Sequence, residues 1–208
     1  MIPIGYLRGV YAFIPDLVLF IALTLFYYWT YDTFRMNMPI FTMLIFGHIL
    51  HACGIFGWYS TSPVSIQWDH VTHFFGAFPY ALVFYRFFSQ WADAKWFTKK
   101  NIVLLLTVFL AATGVGAVVE LSEFVGYLQL GFGEGVFQFG PGDGVAGLTG
   151  SDLVDAVGGG WINEGWDFVW NTIGILVGMA LMIIISLFKK KAENAYYFEP
   201  AGSYSKRI

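Results

Sequence analysis

The chain has 208 residues, of which 57% are hydrophobic, 20% aromatic and only 12% charged, with a mean hydropathy of +0.63. A soluble domain carries about twice that charged fraction, so an ordinary soluble globule is excluded, and a formal net charge of −3 gives no basis for a nucleic-acid partner. A single cysteine, Cys53, excludes an intrachain disulfide framework and a thiolate zinc knuckle.

Five apolar runs follow one another, each near the ~20 residues that a helix needs to cross the hydrocarbon core. They cover 9–31, 38–58, 69–92, 101–127 and 166–188. The fold class expected is all-α: a polytopic membrane bundle of five transmembrane helices, with 1–191 as a single domain. The first run is too long for a signal h-region and no small-x-small site follows it, so it is expected to stay as a span. Pro15 sits in its first turns, beside Asp16. Pro39 opens the second run, which carries His48 and His51. The third opens with "WDHVTHFF", placing Asp69, His70 and His73 within five residues, and contains Pro79, a kink position that membrane helices tolerate. The fourth contains the small residues "GVGAV", Gly114 to Val118, which suit close packing, then Glu120 and Glu123. The fifth begins with Asp167 and Asn171.

Between the fourth and fifth runs lies 128–165, with half of the chain's 24 glycines and only acidic charges: Glu134, Asp143, Asp152, Asp155 and Glu164. A stretch this long without its own strong helical pattern reads as a functional lid rather than a spacer. "SDLVDAV" is expected to form a helical turn or two, capped by Ser151. The segment 192–208 reads as a polar tail.

Basic residues orient the bundle. Arg35 falls between runs one and two; Arg86, Lys95, Lys99 and Lys100 at or after the end of run three; Lys189, Lys190, Lys191, Lys206 and Arg207 after run five. Of the 11 basic residues only Arg8 lies on the opposite side, so the basic side is expected to be cytoplasmic. The N-terminus is then outside, the C-terminus cytoplasmic, and 128–165 an outer loop. Tyr28, Trp29, Trp91 and Trp96 fall at the inner interface; Trp58, Tyr59, Trp68, Tyr127, Trp166 and Trp170 at the outer one.

Ionisable groups within membrane helices cost ~3 kcal/mol each on insertion scales, and here they are ordered. His48/His51, Asp69/His73, His70/His73, Glu120/Glu123 and Asp167/Asn171 are all three or four apart, so each pair shares a helix face. The alternation of direction brings all of them towards the outer half of the membrane. Imidazoles and carboxylates on facing helices are how helical bundles bind metal, and the lack of thiolates points to zinc, iron or manganese. On this reading His48, His51, Asp69, His70, His73, Glu120 and Glu123 are candidate metal ligands and Asp167 the candidate catalytic base. The same groups also suit a metal-free proton or substrate site, or interhelical hydrogen bonding with no chemistry. Two carboxylates one turn apart, Glu120 and Glu123, fit the last reading least, because they repel unless a cation or proton sits between them.

At these residues "WDHVTHFFGAFPYALVFYRFF", "GAVVELSEFVGYL", "NEGWDFVWNTIGILVG" and "IFGHILHACGIFG" resemble segments of YjdF-like bacterial inner-membrane proteins, over most of 40–180. More distantly, the order Asp…His, Glu, Asp…Asn-x-x-Gly is similar to VanZ-like proteins, which are linked to glycopeptide resistance. The resemblance implies a helical membrane protein and carries no activity with it. By position it points to Asp69, His73, Glu120, Glu123 and Asp167. The Gly-rich outer segment, His51 and His70 depart from the pattern.

The functional expectation is an integral protein of the cytoplasmic membrane with a His/carboxylate site near the outer leaflet. It would bind a divalent metal and hydrolyse or modify a lipid or envelope substrate. The alternatives are a non-catalytic subunit of a larger membrane complex and a small transporter or proton relay. Expected partners are membrane lipids and either other membrane subunits or further copies of the chain, with no nucleic acid.

Overall fold

The computed structural model describes residues 3, 7, 14–59, 61–93, 97–129 and 159–193. Every regular element among them is helical: α1 Ile14–Trp29, α2 Met38–Cys53, α3 Trp68–Phe88, α4 Lys99–Gln129 and α5 Gly159–Glu193. A π-helical turn, Gly54–Trp58, continues α2, and a 3-10 turn, Ser89–Trp91, continues α3. Of the expected lid, 128–165, residues 130–158 with the Ser151 cap lie outside the described residues, as do residues 194–208 of the expected tail, 192–208. Helix α5 begins at Gly159, so Glu164, assigned to the loop from sequence, lies on a helix one turn before Asp167.

Local chemistry sets the helix starts. Pro15 is the second residue of α1, where the missing N–H costs no helical bond. Asn37 caps α2: its side-chain Oδ1 accepts the Ile40 N–H at 3.1 Å, with Pro39 beside it. At the other end of α2 the wider turn depends on Gly57, whose φ of 128° is one that L side chains rarely adopt. This turn folds Tyr59 back along the helix. A Cβ at Gly54 would collide with the Tyr59 ring.

Helix α3 is the innermost element. It packs most extensively on α5 and also against α2 and α4, and close approach at small residues is what permits this. Gly174 and Gly178 on α5 are four apart; a Cβ at Gly174 would strike the Phe74 carbonyl, and one at Gly178 would lie 2.7 Å from the Phe78 carbonyl oxygen. On α2, a Cβ at Gly47 would come within 3.3 Å of the Phe75 oxygen. That carbonyl lies four residues before Pro79, which has no N–H to give it.

The helices alternate in direction. Leu17 and Phe20 at the start of α1 pack on Ala52 and Ile55 at the end of α2. Trp68 at the start of α3 donates from Nε1 to the Leu50 carbonyl at 2.9 Å. It is buried against the end of α2. The starts of α3 and α5 meet the end of α4 in the site described below. The opposite end is apolar and aromatic, built on Tyr27, Ile40, Leu44, Phe78, Leu82 and Met182. The Tyr27 and Tyr80 hydroxyls share a hydrogen bond across α1 and α3. Arg86 Nε donates to the Arg35 carbonyl at 3.2 Å and so ties α3 to the α1–α2 turn, where Arg35 has a φ of 55°.

The outside of the bundle is oily. On α4 alone Ile102, Val103, Leu106, Leu110, Val118 and Leu121 are exposed, a continuous apolar face that water would not tolerate. Among the described residues, three helices are long and apolar enough to cross a membrane: Met38–Trp58, Lys99–Glu123 and Glu164–Phe188. Helix α1 is apolar but has 16 residues, and α3 carries Asp69, His70, His73 and Arg86. The shortfall from the five expected has a physical reason in α3, whose surroundings are other helices rather than lipid.

Replacing Gly174 by Leu should destabilise the α3–α5 pair by at least the ~1–3 kcal/mol typical of overpacking, seen as a lowered thermal midpoint in detergent. Gly114, whose Cβ would meet nothing within 4 Å, is the control, and Gly114→Ala should leave the midpoint near wild type. Equal losses in the two variants would contradict the packing described.

Candidate metal centre

The site assembles from three helix ends. Asp69 lies in the first turn of α3, where the helix dipole favours an acid. His73 is one turn further on the same face, its Nε2 3.1 Å from Asp69 Oδ1. The same Nε2 is 3.5 Å from Asp167 Oδ1 on α5, and Nδ1 is 3.3 Å from Glu120 Oε1 on α4. One imidazole therefore has carboxylate oxygens on both of its nitrogens. Glu123 completes a group in which one donor atom each from His73, Glu120, Glu123 and Asp167 lies within 4.8 Å of the others.

The group is dry. Asp69, Glu120, Glu123, Glu164 and Asp167 are all at most 5% exposed. Two like charges 4 Å apart repel by ~4 kcal/mol even at an effective dielectric of 20. Among the described residues no lysine or arginine pairs with Asp69, Glu120, Glu123 or Glu164. Asp69 and Asp167 are within hydrogen-bonding reach of each other, as are Glu120 and Glu164. Asp69 Oδ2, Glu120 Oε2 and Glu164 Oε2 are buried and accept no hydrogen bond among the described residues. Carboxylates in contact, with oxygens left over, need protons or a cation between them.

The donor set fits a metal. Ligand atoms ~2.0–2.2 Å from an ion lie no more than about twice that distance apart, and one imidazole with three carboxylates suits zinc, iron or manganese. A neutral imidazole that ligates through Nδ1 keeps an Nε2–H for Asp69, the usual way in which a carboxylate orients a metal-binding histidine. Asn171, one turn beyond Asp167 on α5, donates from Nδ2 to Glu120 Oε1 and fixes that carboxylate. Gly116 makes room for this amide: a Cβ there would lie 3.2 Å from Nδ2.

Among the sequence candidates, Asp69, His73, Glu120, Glu123 and Asp167 come together. His51 is outside the four-residue group. Its Nδ1 is 2.6 Å from the Tyr59 hydroxyl, and its buried Nε2 has no hydrogen-bond partner among the described residues. His48 is seated elsewhere, stacked on Phe20 at 4.9 Å and on Tyr27 at 5.6 Å. His70 stacks on Trp170 at 5.2 Å. Glu164 was missed in sequence because it was read as loop. The signal was present: Glu164, Asp167 and Asn171, spaced three and four, form one stripe of a helix.

Neither the curated proteins nor the solved structures include a match to this chain. A protein-family model does match, over residues 6–189, and that span contains all of the residues just described. Its description, Predicted membrane protein (DUF2238), agrees with the oily exterior and with the three helices able to cross a membrane. The chain therefore belongs to the DUF2238 family of predicted membrane proteins.

Proposed function

We propose that the chain is a five-span protein of the cytoplasmic membrane, N-terminus outside, that binds a divalent metal at its outer end and hydrolyses or modifies a lipid or envelope substrate there. The observation that carries this reading is the convergence of His73, Glu120, Glu123 and Asp167 within reach of one ion, with buried carboxylate oxygens left unpaired around them. The alternation of helix direction and the bias of basic residues to one side support the topology. The quoted segments in α2 to α5 support a closer kinship with YjdF-like inner-membrane proteins, and more distantly with VanZ-like ones.

In this reading His73, Glu120 and Glu123 hold the ion, and Asp167 is a further ligand or the base. Asp69 and Asn171 are positioning residues: one sets the imidazole, the other the Glu120 carboxylate. A bound divalent ion supplies Lewis-acid polarisation of an ester or phosphoryl oxygen and a more acidic water. A site at the bundle end meets headgroups rather than acyl chains, which points to the headgroup side of a lipid as substrate. Membrane lipids are the chain's surroundings, and a second copy or a partner subunit would dock on the same apolar exterior.

A second reading has its own support in His73, which has carboxylates on both ring nitrogens. That arrangement suits a proton relay through Asp69, His73 and Glu120 without metal. Elemental analysis of protein purified in mild detergent separates the two. The metal reading expects at least one zinc, iron or manganese per chain, lost in the Glu120→Gln, Glu123→Gln double variant. A folded wild-type chain that stays metal-free after incubation with these ions would leave the relay.

Asp69→Asn should weaken metal affinity by ~10–100-fold, as loss of an orienting carboxylate does, with uptake restored at saturating metal. An unchanged affinity would remove Asp69 from this role. For the topology, thiol labelling in intact cells on a Cys53→Ala background is decisive. A membrane-impermeant reagent should label Ser65→Cys, in the α2–α3 loop, and spare Asp32→Cys, in the α1–α2 turn; the opposite pattern would invert the bundle.

A further inference from the structure

Glu164 has no role in the four-residue group, yet it is among the most deeply buried acids of the chain, 3% exposed. It lies within hydrogen-bonding reach of another acid, Glu120, and the Oε2 atoms of both residues are buried without a hydrogen-bond partner among the described residues. Glu120 Oε1 is already engaged by His73 Nδ1 and by the Asn171 amide. Its Oε2 is therefore the oxygen with ligand capacity to spare. Glu164 is one helical turn from Asp167 on the same face of α5, so both acids project towards α4 from a single helix.

Charge points the same way. Asp69, Glu120, Glu123, Glu164 and Asp167 bury five carboxylates against one imidazole. One divalent ion would leave three of those negative charges uncompensated in a dry site; two would leave one. Carboxylates that bridge two ions are a recurrent arrangement in helical bundles, with the acids supplied by facing helices.

We infer that the centre is dinuclear, with Glu164 the ligand of a second divalent cation and Glu120 bridging the two ions through its two oxygens. This rests on the metal-binding reading above and adds to it a second ion and a residue outside the first group. A pair of ions suits a substrate with a phosphoryl oxygen to be clamped between them, which narrows the headgroup class to phosphoesters.

The test uses the full chain in detergent, stripped with chelator and titrated with Mn2+ or Zn2+. Two ions per chain are expected, and the Mn2+ form should give the spectrum of a spin-coupled pair rather than the six-line signal of an isolated ion. Glu164→Gln should bind one ion per chain and show the isolated signal, while Glu164→Asp should recover the second ion. A single ion per wild-type chain, or two ions retained by Glu164→Gln, overturns the dinuclear centre and leaves the one-metal reading standing. No uptake at all by folded wild-type protein overturns both.

Discussion

The arrangement around His73 rests on an electrostatic constraint. Five carboxylates and one imidazole share a space with almost no water, between helices whose outer faces suit lipid. In such surroundings unpaired negative charge is costly, and the cost is removed only by protons or by cations. The acids come from three helices, so whatever neutralises them also holds α3, α4 and α5 together. The cluster is thus a joint between the three helices.

The rest of the bundle serves to bring those helix ends close enough. Gly174 and Gly178 let α5 lie against the backbone of α3, which sets the reach from Asp167 to His73. Gly116 opens a place for Asn171, and Asn171 orients Glu120. The π-helical turn after α2 bends Tyr59 onto His51, so that the polar end continues past the acids into a histidine and a phenol. At the far end, Tyr27, Phe78, Leu82 and Met182 form a packed apolar zone. A packed end and a polar end in one bundle leave the His73, Glu120, Glu123 and Asp167 group positioned by contacts that lie outside it.

Helix α3 shows why hydropathy undercounts such a protein. Asp69, His70, His73 and Arg86 lower its apolar character, and it falls outside the helices able to cross a membrane by composition. Yet Ala77, Phe78, Pro79, Ala81, Leu82 and Val83 are buried, Asp69 and His73 meet in the acidic group, His70 stacks on Trp170, and Arg86 donates to the Arg35 carbonyl. A helix surrounded by protein need not be oily, because its neighbours supply the partners that lipid cannot.

Composition and spacing alone determined that the chain is a helical membrane protein and where α2, α3 and α4 fall to within a few residues, whereas α5 begins at Gly159, well before the apolar run that marks it. Those properties are local: apolar run length, and caps such as Asn37 and Pro39, act within a turn or two. Spacing also marked Asp69 with His73 and Glu120 with Glu123, since residues three or four apart share a face whatever surrounds them. It could not rank the histidines. His48 and His70 have the same sequence credentials as His73, and only packing seats them on Phe20, Tyr27 and Trp170 while His73 enters the acids. Glu164 shares a three-and-four spacing with Asp167 and Asn171, but it lies beside a glycine-rich stretch, and that spacing counts as one face only because α5 begins at Gly159. Which faces meet depends on backbone approach between helices distant in sequence, at Gly174, Gly178 and Gly116, and that is decided only when the bundle closes.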